Sequence, residues 1–276
     1  MTNKPDFLII GAMKAGTTSL HDYLGRHPEI HVTTPKELHF FHQDNIEIEG
    51  NIDKYLTHFV SEKKIAGSSP QSYTKCHNKY YQNIPEKIHK YFPDIKLVYI
   101  LRDPIARYKS HLIENYYEEP LHDVEYNIET EHYLKTGLYY FQLQEYLRFF
   151  SLDQIHILTL EDLISNKLGA LNKLFKFLGV QEVTDAKLFD FISNKKEDKT
   201  IPIQIRESYP YRFVKKVLPR LANAIAHNER VRSVYLNKGK NKLLSNLDEE
   251  SLRLKYKADV DSLRNLTGLK LNNWSV

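Results

Sequence analysis

Four apolar residues, Phe7-Leu8-Ile9-Ile10, run straight into Gly11-Ala12-Met13-Lys14-Ala15-Gly16-Thr17-Thr18-Ser19, and no other feature constrains the fold of this chain as tightly. A short, unalternating apolar run stopped by glycine suits a strand buried on both faces of a parallel sheet. Residues 17–25 carry a helical pattern. A strand, a glycine loop and a helix in that order aim successive backbone N–H groups and a helix N-terminus at one anion. Similar apolar runs recur at 97–101 and 155–160, with helical patterns at 81–92, 104–117, 139–150 and 160–178. Strands alternating with helices imply βαβ units, so the expected fold class is α/β, a three-layer sandwich around a mostly parallel central sheet.

Size and composition fit that expectation. The 276 residues are 41% apolar and 27% charged, a globular rather than a disordered or fibrous profile. One domain over 1–276 is expected, with a nucleotide-binding core at 1–180 and a mainly helical part at 181–276. The formal net charge of +4 is too mild to argue for a nucleic-acid partner, and none is expected. It does suit a protein that holds an anionic small molecule. The single cysteine, Cys76, leaves no internal disulfide and fits a reducing compartment. No run approaches the ~20 apolar residues of a membrane span. Residues 1–6 lack the order of a signal peptide, so a cytoplasmic location is expected.

Two stretches are biased in charge. Residues 195–242 hold 13 Lys or Arg against 4 Asp or Glu. Within them 212–236 reads as helices interrupted at Pro219, and 248–266 reads as a further helix. The basic stretch could close over a nucleotide, with Lys195, Lys196 or the Lys238-Gly239-Lys240 turn nearing its phosphate. It could equally be a solvated face, and 212–236 has enough basic and apolar character to touch an anionic membrane surface. Residues 114–131 hold seven acids and no Lys or Arg. They could draw in a cationic acceptor, or simply serve solubility and helix capping. Many tyrosines cluster between Tyr108 and Tyr146; core packing explains most of them.

The glycine loop departs from that of nucleotide hydrolases. Those read G-x-x-x-x-G-K-[ST], whereas here Thr17 follows the second glycine and the lysine, Lys14, sits inside the loop. A terminal phosphoryl group carries more charge than a sulfuryl group and usually recruits Mg²⁺ beside the lysine. The strand at 97–101 ends in Arg102-Asp103-Pro104, followed by Arg107 and Ser110, in place of a magnesium-holding aspartate. An arginine at a strand's carboxyl end, with Ser110 two turns into the next helix, suits a second phosphate. Two phosphate sites on neighbouring β-α turns describe a nucleotide phosphorylated at two positions.

These two segments, Lys14-Ala15-Gly16-Thr17-Thr18-Ser19 and Leu101-Arg102-Asp103-Pro104 with Arg107 and Ser110, resemble the two signatures of the sulfotransferase family. The nearest branch is similar to bacterial enzymes related to heparan sulfate sulfotransferases. The resemblance implies 3′-phosphoadenosine 5′-phosphosulfate (PAPS) as cosubstrate, 3′-phosphoadenosine 5′-phosphate (PAP) as product and no metal. It implies that Lys14, Ala15, Gly16, Thr17, Thr18 and Ser19 hold the 5′ end, and Arg102 and Ser110 the 3′-phosphate. It continues weakly through Gly137-Leu138-Tyr139, Glu161-Asp162-Leu163 and Phe177-Leu178-Gly179-Val180 to Tyr256, Asp259, Leu263 and Trp274.

Pro35-Lys36-Glu37-Leu38-His39-Phe40-Phe41 resembles the Lys-Glu-x-x-Phe-Phe stretch that carries the catalytic glutamate of heparan-type enzymes, which places that role on Glu37. Transfer requires a group that takes the acceptor's proton. His39 is the rival base, since an imidazole is already suited to neutral pH. In the plainer alternative Glu37 pairs with Lys36 or Lys14 for structure alone. Family members often carry Gly-Glu-x-Ser-Pro-x-Tyr after the next strand. Here the stretch is Ala66-Gly67-Ser68-Ser69-Pro70-Gln71-Ser72-Tyr73, which puts contacts around Ser69 and Tyr73 in doubt. The expected activity is sulfuryl transfer to a hydroxyl or nitrogen of a small acceptor, with a cationic natural product as one candidate and a glycan or glycolipid as the alternative. A P-loop kinase and a non-catalytic nucleotide-binding protein are the rivals of other classes.

Overall fold

The computed structural model describes residues 3–42, 51–191, 201–228, 230–231, 233–234, 243–245 and 247–276. Five strands, β1 (Phe7–Gly11), β2 (Ile30–Val32), β3 (Ile65–Ser68), β4 (Lys96–Leu101) and β5 (Ile155–Thr159), form one sheet in the order β2-β3-β1-β4-β5. All four pairings are parallel. Between the strands lie α1 (Thr17–Arg26), α2 (Asn51–Leu56), α3 (Ile84–Tyr91), α4 (Pro104–Glu118), α5 (Leu121–Glu129), α6 (His132–Thr136) and α7 (Tyr139–Leu147). After β5 come α8 (Leu160–Ser165), α9 (Lys167–Leu178), α10 (Ile203–Arg206), α11 (Tyr209–Val217), α12 (Pro219–His227) and α13 (Glu249–Thr267).

The unalternating apolar strands are buried on both faces, and the period-two alternation of side chains sorts them between two cores. Phe7 and Ile9 of β1 join Val98 and Ile100 of β4 against Leu20 and Leu24 of α1 and Leu171, Leu174 and Phe175 of α9. Leu8 and Ile10 join Leu97, Tyr99 and Leu101 against α3, α4, α7 and α13. The result is the three-layer arrangement. Tyr108, Tyr117, Tyr133, Tyr139 and Tyr146 are all buried, so this tyrosine cluster is mostly core.

The helical pattern at 160–178 is two helices rather than one. Asn166 leaves helical geometry (φ −143°, ψ 68°) and its side chain accepts from Gly169 N, capping α9 as α8 ends. Pro219 separates α11 from α12 as its sequence suggests, sitting at the first position of the second helix. Lys195, Lys196 and the Lys238-Gly239-Lys240 turn lie outside the described residues. Among the described residues, no helix is long and apolar enough to cross a membrane.

The C-terminal segment is fastened to the end of β4. Asp103 caps α4 by accepting from Ala106 N (2.7 Å), and its other oxygen accepts from the backbone and hydroxyl of Ser275 (Oγ 2.7 Å). Glu161 accepts from Asp103 N (3.0 Å) and from the Trp274 indole (3.3 Å). Asp259 of α13 accepts from Tyr140 N (3.0 Å) and Phe141 N (2.9 Å), satisfying first-turn donors of α7 that no helical bond reaches. Tyr256, Leu263 and Trp274 are buried in the same core. These residues have structural work to do, independent of any ligand.

Candidate active site

The sheet order places a switch point between β1 and β4: β3 lies on one side of β1, and the chain then crosses to add β4 on the other. Ligands of open α/β sheets bind in the crevice beyond the strands' carboxyl ends at such a point. Both sequence signatures open there. Ala12 N donates to Ile100 O (2.7 Å), carrying the β1–β4 pairing past the strand end, and Arg102 Nη1 donates to Lys14 O (3.3 Å). The two motifs therefore form one site. Arg102 is held from behind, its own carbonyl accepting from Tyr139 Oη (2.7 Å).

The loop turns into α1 through Gly16, which is left-handed (φ 97°) and whose position would put a Cβ 2.8 Å from Leu160 Cδ1. No side chain caps this helix start. The first-turn N–H groups of Thr17, Thr18 and Ser19 consequently have no helical acceptor and no side-chain cap. Ala15 is fully buried and donates to Ala12 O (3.0 Å), closing the loop. An uncapped helix start flanked by Lys14 and Arg102 fits the phosphate end of a nucleotide.

A chain of contacts joins this loop to the candidate base. Lys36 Nζ donates to Thr18 Oγ1 (3.2 Å) and Thr17 Oγ1 (3.4 Å), and the same ammonium pairs with Glu37 Oε1 (3.0 Å). The other carboxylate oxygen of Glu37 lies 3.7 Å from His39 Nε2. Glu37 is mostly enclosed, with 18% of its side chain exposed against 47% for His39. Lys14 Nζ, meanwhile, pairs with Glu114 Oε1 at 2.6 Å. Ser110 and Glu114 stand four residues apart on α4 and so share a face. Lys14, Thr17, Thr18, Glu37, His39 and Arg102 are thus brought together by direct contacts, and Ser110 by its place on the helix whose Glu114 reaches Lys14.

The Ser69–Tyr73 segment has a supporting role. Ser69 Oγ meets His21 Nδ1 (2.8 Å), Gln71 Oε1 accepts from Thr17 Oγ1 (3.3 Å), and Tyr73 Oη accepts from Phe41 N (3.0 Å). It braces α1 and the stretch that carries Glu37. Burial pushes the His21 imidazole down to about 4, so it stays neutral at physiological pH.

Three site features were not legible in the sequence. The first is the pairing of Glu114 with Lys14. The second is a buried polar network behind the cleft. Arg107, fully buried, donates to Tyr133 O and to His111 Nδ1 (3.1 Å). Gln142 Oε1 accepts from Cys76 N (2.8 Å) while its Nε2 meets His77 Nδ1 (3.0 Å), and His77 Nε2 meets His132 Nδ1 (3.1 Å). With the Gln142 amide oriented by Cys76, His77 carries its proton on Nε2 and donates to His132. Burial holds His77 near 4 and His132 near 3, so both are neutral.

The third feature is Lys75, only 7% exposed. Burial first, then the Arg107 guanidinium, bring its ammonium from 10.5 down to about 8, opposed by Glu119, Glu37 and Glu114. Its charge therefore acts between the candidate base and the partner of Lys14. A folded-state value below the unfolded one means that the unfolded chain binds more protons between about pH 8 and 10.5, so this group's penalty on stability is full below pH 8 and relieved as pH rises. Lys75→Met is expected to be more stable than the parent at pH 7 by up to about 3 kcal/mol. Urea titrations should show that gap closing above pH 8; a gap independent of pH contradicts the assignment.

Arg102→Ala is expected to weaken PAP binding about tenfold to a hundredfold, the worth of one or two charge-assisted hydrogen bonds. Calorimetry gives the ratio directly, and unchanged affinity would remove Arg102 from the phosphate site.

The Sulfotransferase domain family model matches residues 4–211, and the chain belongs to that family. It is 30% identical over 193 residues to "Heparan sulfate glucosamine 3-O-sulfotransferase 5" of Mus musculus, covering 64% of this chain and 54% of that protein. It is 27% identical over 217 residues to "Bifunctional heparan sulfate N-deacetylase/N-sulfotransferase" of Drosophila melanogaster, covering 66% and 20%. The chain spans about half or less of the length of these curated relatives. Among solved structures, a sulfotransferase from Alicyclobacillus acidocaldarius superposes with a TM-score of 0.53 at 23% identity, covering 83% of this chain and 99% of that one, a likeness of fold.

Proposed function

We propose that this chain transfers the sulfuryl group of PAPS to a hydroxyl or nitrogen of a small acceptor, with residues 1–276 acting as one catalytic unit in the cytoplasm. The observation that carries this reading is the continuous contact from the loop hydroxyls of Thr17 and Thr18 through Lys36 to Glu37. That contact supports the reading because it links a carboxylate, through one ammonium, to the uncapped helix start that would receive the phosphate.

In this reading Glu37 takes the acceptor's proton as the acceptor atom bonds to sulfur and the sulfur–oxygen bond to the 5′-phosphate breaks. Lys14 neutralises charge that gathers on the departing phosphate oxygen, and PAP leaves. The contact with Lys36 (3.0 Å) holds the Glu37 carboxylate in place. Arg102, with Ser110, takes the 3′-phosphate. A kinase reading is disfavoured because both oxygens of Asp103, the only acid directly after β4, already accept from Ala106 and Ser275.

For the acceptor we favour a small cationic molecule, drawn by the exposed carboxylates of Glu125 and Glu129 on α5. Glu114 and Glu131 are spent on Lys14 and Lys255, so only part of the acidic stretch is available for this. A glycan acceptor is the second reading, favoured by the names of the relatives that are 27–30% identical. Turnover of labelled PAPS against amine-bearing small molecules and anionic oligosaccharides separates the two. Preference for the anionic glycans would overturn the cationic acceptor, and no transfer to any acceptor despite PAP binding would favour a non-catalytic binding protein.

A further inference from the structure

We infer that the α11–α12 hairpin is a docking surface for an anionic lipid bilayer. α11 buries none of its residues, and α12 buries only Ala222 and Ala226. The orientation of α11 is fixed by Tyr211, whose hydroxyl donates to Ala222 O (3.1 Å) and so turns that side toward α12. Tyr209, Phe213 and Val217, spaced by four, line a stripe on the other side. All three are exposed, Tyr209 by 82%, and Leu218 and Leu221 extend the apolar surface into the next helix. A soluble face would not gather five large apolar groups in so short a span.

The charges beside the stripe identify what covers it. Arg206, Arg212, Lys215, Lys216 and Arg220 fall within residues 203–228, against a single acid, Glu207. Arg206, Arg212, Lys215 and Lys216 line an open cleft together with Tyr209 and Phe213. Cations around an aromatic and aliphatic ridge match a surface that is anionic at its headgroups and apolar just beneath, as a bilayer with acidic lipids is. Another protein's apolar patch would satisfy the ridge and leave the cations desolvated without partners. Among the described residues no hydrogen bond or ion pair joins these side chains to Lys14, Glu37 or Arg102, whose partners are Glu114, Lys36 with His39, and the Lys14 carbonyl, so the surface is separable from the nucleotide site. Its attachment to the body runs through Ile201 N to Ala226 O (3.2 Å) and through α10 to α4.

The test is co-sedimentation of the full chain with vesicles of phosphatidylcholine alone and of phosphatidylcholine with about one-third phosphatidylglycerol. Binding to the acidic vesicles is expected to exceed that to neutral ones at least about tenfold, and to fall as strongly in about 0.5 M salt. Phe213→Ser with Leu221→Ser, and separately Lys215→Glu with Lys216→Glu, should each abolish the difference while PAP affinity stays as in the parent. Equal binding to both vesicles overturns the inference. So does equally tight binding of free glycerophosphoglycerol, which would mean headgroup recognition without a surface. A dimer in solution that disappears with Phe213→Ser and Leu221→Ser, without vesicle binding, would instead assign the face to a second copy.

Discussion

Lys14→Ala is expected to lower kcat about a hundredfold to a thousandfold while leaving PAP affinity within a few-fold. The magnitude is that of removing one preorganised charge from the place where negative charge develops. The separation of the two effects follows from geometry. In the proposed reading phosphate binding is shared among the uncapped N–H groups at the start of α1 and Arg102, whereas the Lys14 ammonium points away from them to Glu114 of α4, at 2.6 Å. Lys14 itself is left-handed (φ 68°), but alanine bears much the same backbone penalty there, so the substitution tests the ammonium and not the turn. Single-turnover kinetics beside a PAP titration separates the two quantities. Equal losses in both would make Lys14 an anchor only.

Glu37→Gln is expected to lower kcat about a hundredfold to ten-thousandfold, the usual worth of a positioned general base. The amide keeps the size of the side chain and an oxygen for Lys36, so loss of structure does not confound the result. His39→Asn should cost only a few-fold. Its ring is far more exposed than Glu37 and lies 3.7 Å from the carboxylate, a distance suited to modest electrostatic support. If His39→Asn brought the larger loss, the roles would be exchanged and Glu37 would become the group that orients the imidazole.

What the sequence revealed follows physical locality. The β1–loop–α1 unit is contiguous, its glycine turn and apolar run act over a dozen residues, and the structure differs from the expected helix by one residue at its end. Arg102 was legible because a strand end can be recognised from its own apolar run. The pairings that complete the site were not, since Glu114 lies a hundred positions from Lys14. The acidic bias at 114–131 pointed to a cationic acceptor or to solubility and helix capping, and did not say which acids would find partners. In the fold Glu114 turns to the loop, Glu119 accepts from Asn115 and Asn127, and Glu131 pairs with Lys255. Lys75 gave no signal of its own, because burial of a lysine is decided by what packs over it. Asn166 was missed for a different reason: the apolar period continues through 160–178, and a polar residue able to cap its own downstream helix outweighs periodicity at one position.

Whether two neighbouring strand ends grip two phosphates of one adenosine nucleotide is decided by titrating the purified protein with PAP in the absence of divalent metal, and in parallel with ATP and magnesium. Saturable one-to-one binding of PAP, lost on removing either the 3′- or the 5′-phosphate from the ligand, is the predicted result. A protein indifferent to PAP that binds ATP only with magnesium would contradict it.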